Sequence, residues 1–76
     1  MPVAFFLINT EIDAMEKVLK ALENVENVKE AYSTFGVYDV IVKVEAPSMD
    51  KIKDLVTYQI RKLDGVHSSL TMIVTE

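Results

Sequence analysis

The chain contains no cysteine, which removes disulfides, thiolate nucleophiles and thiolate metal sites together. Glycine and proline are scarce, two of each in 76 residues, and no stretch is of low complexity, so the composition argues against disorder. Positive charge is the next shortage. Eight basic against 12 acidic residues give a net charge of -4, the wrong sign for a chain that neutralises a phosphate backbone. Contact with DNA is expected only through another protein. There is no long apolar run either: the opening, residues 3–8, is too short to span a bilayer and lacks the basic segment of a signal peptide. A cytoplasmic protein without membrane contact is expected. The only histidine, His67, has no aspartate or cysteine spaced for a catalytic triad or metal set, so a surface or interface position is expected.

What the chain does have is a globular mixture, 50% hydrophobic and 26% charged, in a length that holds one small domain over residues 1–76. It reads as two similar halves. The apolar run at 3–8 predicts a strand, after which Thr10 can cap a helix whose first turn gains from acidic Glu11 and Asp13. Ile12, Met15, Val18, Leu19, Leu22 and Val25 recur at the spacing of one buried helical face, and residues 24–27 end it. Residues 28–34, β-branched and aromatic with Lys29 and Glu30 between, predict a partly exposed strand closed by a turn at Gly36. The second half repeats the order. Residues 38–46 predict a strand, Ser48 caps a helix with apolar Ile52, Leu55, Val56, Ile60 and Leu63, Gly65 stops it, and residues 66–75 form the last strand.

The order β-α-β-β-α-β is that of the ferredoxin-like α+β fold, an antiparallel sheet with two helices on one face. A sheet face exposed to water should alternate apolar with polar, yet residues 3–8 and 40–42 are apolar on both faces, and in 70–74 only Thr71 interrupts. In so short a chain the cover has to come from another copy. The expectation is a homodimer packed sheet to sheet, like a dimeric α/β barrel, with higher assembly open to it.

Two segments carry the candidate site. The turn Phe35-Gly36-Val37-Tyr38-Asp39 sets a carboxylate at the mouth of an apolar strand, where a small polar molecule could dock. Gly36 serves either a tight turn or close approach by a ligand, and Asp39 either caps local amides or faces that ligand. In the last strand, period two places Ser69, Thr71 and Ile73 on the face away from the helices if Leu70, Met72 and Val74 face them. The two hydroxyls then satisfy local packing, or bind water or a ligand's polar ends at a subunit boundary. Met15, Met49 and Met72 read as apolar filler, and the carboxylates of the first helix as solvated charges.

Gly36-Val37-Tyr38-Asp39 before an apolar strand, Leu63-Asp64-Gly65-Val66 after the second helix and Ser69-Leu70-Thr71 before Ile73-Val74 resemble the effector-binding domain of the Lrp/AsnC transcription regulators. That domain is called RAM, for regulation of amino-acid metabolism, and the resemblance spans nearly the whole chain. It implies a βαββαβ fold, dimers that associate into rings, and an amino acid or similar small effector held between dimers. Carried over by position, Phe35, Gly36, Val37, Tyr38 and Asp39 of one dimer and Ser69 and Thr71 of its neighbour are the effector-binding residues. An ammonium group suits Asp39, and a turn amide suits the carboxylate.

Family regulators also carry a helix-turn-helix domain, whereas here Met1-Pro2 leads straight into the first strand. The expectation is a stand-alone RAM domain, without cofactor or catalysis. It would sense an amino acid in transcription regulation and co-assemble with full-length regulators. An RNA-recognition module shares the element order but needs stacking aromatics and basic residues on its third strand. A metallochaperone of this shape needs cysteines. A cofactor-free dimeric α+β barrel enzyme and a purely structural oligomerisation module are the alternatives.

Overall fold

A computed structural model describes residues 1–75, the Thr57 side chain excepted. Strand β1 (Val3–Thr10) is followed by helix α1 (Met15–Glu23), strands β2 (Val28–Ser33) and β3 (Val40–Glu45), helix α2 (Met49–Asp54), a π-helical segment (Leu55–Ile60) and strand β4 (Val66–Val74). The four strands form one antiparallel sheet in the order β2-β3-β1-β4, so β2 and β4 are its edges. This is the ferredoxin-like α+β arrangement expected.

Period two on the central strands decides which face is the core. Ala4, Phe6 and Ile8 of β1 pair directly with Val44, Val42 and Val40 of β3, and all six are buried. Directly paired residues share a face. Val18 and Leu22 of α1 and Ile52, Leu55 and Ile60 of the second helical unit cover that face. Ser48 caps α2 as expected, its hydroxyl accepting from the Lys51 amide at 3.2 Å. The π turn then widens the helix by a residue, which lets Leu55 and Ile60 both enter the core.

Three expectations are corrected. Thr10 does not cap α1: it ends β1, its amide donating to the Asp39 carboxylate at 2.9 Å, and the helix starts at Met15. Between them Asp13 has φ +66°, a conformation that ends any helix run across it. Ile12 therefore lies outside the helix and is exposed, not on its buried face. The third correction concerns β4, where Ser69, Thr71 and Ile73 pair with Ile8, Phe6 and Ala4 and so lie on the helix side. Leu70, Met72 and Val74, paired with Leu7, Phe5 and Val3, lie on the open face.

That open face is broadly apolar. Phe5 and Leu7 of β1, Ile41 of β3 and Leu70 and Met72 of β4 form its middle, and among the described residues both helical units pack on the other face. Charge enters this face from β2 and β3: Glu45 pairs with Val3, and Glu30 meets Lys43 at 3.7 Å and accepts from the Tyr32 hydroxyl at 2.6 Å. That carboxylate holds the Tyr32 phenol above its ordinary pKa.

Gly65 joins the helical unit to β4. Its φ of +99° suits only glycine, and a Cβ there would meet the Ala14 Cβ at 2.9 Å and the Val18 Cγ2 at 3.1 Å. Its carbonyl accepts from the Glu11 amide at 2.7 Å, and Asp64 pairs with Lys17 of α1. Lys17 holds the exposed Asp64 carboxyl below its ordinary pKa.

Candidate functional site

The turn at residues 34–39 is built by local bonds. The Thr34 amide donates to the Asp39 carbonyl at 2.8 Å and the Thr34 hydroxyl to the Tyr38 carbonyl at 2.6 Å. The Asp39 amide donates to the Ile8 carbonyl at 2.9 Å, so the turn is stitched to β1 as well. Phe35 and Val37 project into solvent, while Tyr38 and Asp39 are half-buried. Gly36, at φ +155°, has nothing within 4 Å of where a Cβ would stand. Its requirement is backbone conformation, with open space around it.

Asp39 does structural work and keeps capacity to spare. Its Oδ2 accepts from the Thr10 amide at 2.9 Å and from the Thr10 hydroxyl at 3.4 Å. Among the described residues its Oδ1 accepts nothing, leaving lone pairs for another donor. The capping role and a binding role are therefore compatible. Thr10, the partner that orients this carboxylate, was not legible as such, because 29 residues separate the two.

Ser69 and Thr71 are half-buried on the helix side of the β4 edge, and each opens into a groove. A groove of about 370 Å³ is lined by Arg61, Val66, His67, Ser68 and Ser69. Next along the strand, about 210 Å³ of mainly apolar cleft is lined by Ile52, Lys53, Val56, Thr71 and Ile73. Arg61 is the other residue missed, an exposed helical charge by its sequence position that the turn into β4 brings beside Ser69. His67 is exposed, its Nδ1 3.3 Å from Glu11 Oε1.

Asp39 and Ser69 reach the same end of the sheet, since both neighbour Ile8, but on opposite sides of β1. Two strand spacings put them roughly 10 Å apart. The two candidate segments thus stand apart on one chain, and no cavity among the described residues joins them. Among the described residues no three carboxylate, imidazole or thiol groups converge for a metal ion.

A ferredoxin-like domain with an open apolar sheet face and ligand-sized grooves at its edge is the class these features define. Residues 3–76 match the model of the Lrp/AsnC ligand binding domain, and the chain belongs to that family. The regulatory protein AsnC of Escherichia coli strain K12 is 34% identical over 58 residues, 76% of this chain and 38% of that protein. The chain thus matches well under half the length of that relative. A solved hypothetical protein from Pyrococcus horikoshii is 36% identical with a TM-score of 0.93, over 100% of this chain and 92% of its own. The L-Met complex of a transcriptional regulator from Neisseria meningitidis superposes with a TM-score of 0.89 at 17% identity, over 99% of this chain and 50% of its own. At that identity the likeness is one of fold.

Proposed function

We propose that this domain senses an amino acid or similar small polar metabolite and reports it through assembly in transcription regulation, catalysing nothing and binding no DNA itself. The observation that carries the reading is the Asp39 carboxylate, fixed through one oxygen by Thr10 and open at the other, beside the exposed Phe35-Gly36-Val37 turn. Two half-sites on one chain suit an effector held between neighbours. In this reading the turn residues Phe35, Gly36, Val37, Tyr38 and Asp39 of one dimer meet Ser69 and Thr71 of the next. Membership of a ligand-binding family supports it, and the L-Met held by the Neisseria regulator belongs to the same class of ligand. The dimer itself packs open face to open face, and full-length Lrp/AsnC regulators are candidates for co-assembly through the same surfaces. A location in the cytoplasm goes with this role.

The test of the site is Asp39→Asn in calorimetric titration with whichever amino acid binds the wild type. The substitution keeps shape but loses a charge-assisted hydrogen bond to the ammonium, roughly 1.5–3 kcal/mol, about ten- to a hundredfold in affinity. Thr71→Val is expected to cost less, about 1 kcal/mol for a neutral hydroxyl bond. Unchanged affinity in Asp39→Asn would refute the site and favour a purely structural oligomerisation role. For nucleic acid, the net charge of -4 predicts no sequence-dependent gel shift by the purified chain at physiological salt. A specific shift at that salt would overturn this part.

A further inference from the structure

The two grooves along β4 differ in chemistry in a way that selects a ligand. One holds a guanidinium and a hydroxyl, from Arg61 and Ser69. The other is walled by Ile52, Val56 and Ile73, with the Thr71 hydroxyl on its strand side and Lys53 as its one charged lining residue. Among the described residues Arg61 has no carboxylate partner, although the chain carries 12 acidic residues. A planar guanidinium with free donors is suited to a carboxylate, which it can hold through two parallel hydrogen bonds.

The grooves share no lining residue but follow one another along β4. Ser69 and Thr71 are two residues apart on one face of β4, roughly 6.5–7 Å. An amino acid with a branched aliphatic side chain spans about 6 Å from a carboxylate oxygen to its last methyl, by ordinary bond lengths. A smaller side chain would leave the mainly apolar cleft unfilled, and a charged one would lose solvation there with only Lys53 as a charged neighbour.

We infer that Arg61 is the carboxylate anchor of the effector site, and that Ile52, Val56 and Ile73 take an aliphatic side chain laid along β4 from Ser69 to Thr71. This rests on the proposed amino-acid sensing and deepens it: Asp39 of a neighbouring dimer supplies the ammonium contact, Arg61 the opposite charge. Both halves of a zwitterion then have a partner. Basic residues near a helix C-terminus also interact with its carbonyls, so stability must be read beside affinity.

The experiment is calorimetric titration of leucine, alanine and aspartate into wild type, Arg61→Gln and Arg61→Lys, with thermal melts of each variant. Leucine is expected to bind on the order of tenfold tighter than alanine, from the methylene groups that leave water. Arg61→Gln should weaken leucine by about tenfold or more, Arg61→Lys by less, with melting temperature little changed because Arg61 is exposed. Amide shifts in a leucine-titrated spectrum of the wild type should include residues 61 and 68–71, a readout independent of any variant. Binding of leucine that is indifferent to Arg61→Gln, or no preference over alanine, would overturn this inference and leave amino-acid sensing standing. No binding of any amino acid to the wild type would remove both.

Discussion

Leu70→Lys is expected to convert the proposed dimer into a folded monomer. Leu70 sits on the open face beside Leu7, and is 46% exposed in the single chain, so a lysine there can reach water when the protomer is alone. In a sheet-to-sheet dimer the same position is dry, and the symmetry places two such charges in one interface. An unpaired charge buried this way costs several kcal/mol, on the order of 3–5, or roughly two to four powers of ten in the dimer dissociation constant. Sedimentation equilibrium at micromolar concentration should give a dimer or larger species for the wild type and a monomer for the variant. Circular dichroism should be unchanged, because the core lies on the other face. A wild-type chain that sediments as a folded monomer would refute the dimer.

Gly65→Ala is expected to destabilise the domain by about 2–5 kcal/mol. Forcing a Cβ onto a residue at φ +99° costs about 1–2 kcal/mol, and displacing the Ala14 and Val18 side chains adds about 1–3. Small domains hold little in reserve, so such a loss is a large fraction of the total. Gly36→Ala is the control. Its φ of +155° carries a backbone cost but its surroundings are empty, so the loss should stay near 1–2 kcal/mol. Chemical denaturation of both variants distinguishes the two glycines; equal losses would mean that contact with α1 is not what Gly65 relieves.

Much of this architecture was legible because the segments obey simple periods. Val18 and Leu22, and later Ile52, Leu55 and Ile60, recur at helical spacing and are the residues buried. Ser48 and Gly65 mark boundaries by chemistry that acts within a few residues. What escaped needed partners far along the chain. Thr10 has the hydroxyl of a helix cap, but the carboxylate that claims its amide is Asp39, on another strand. The orientation of β4 was open for a related reason: with Leu70, Met72, Ile73 and Val74 apolar on both faces, period two cannot say which face is inward. Only pairing with β1 decides it, and it turns Ser69 and Thr71 toward the helical unit. The π turn at Leu55–Ile60 left a trace in two core residues spaced five apart, which an ordinary α-helix does not stack on one face.

For the candidate site, the Gly36 turn and Asp39 were legible from residue types, and the half-site at β4 was incomplete. Arg61 resembles any exposed basic residue of a helix until the fold sets it beside Ser69. The same turning of β4 changes what Thr71 does. It lines a mainly apolar cleft with Ile73 on the helix side, so in the proposed site its hydroxyl would orient a ligand and not bridge two open faces.

Amino-acid sensing is tested most directly by calorimetric titration of the wild-type chain with each of the proteinogenic amino acids, at concentrations into the millimolar range. The account predicts saturable binding of a subset, with no more than one molecule per chain. No saturable heat with any of them would contradict it.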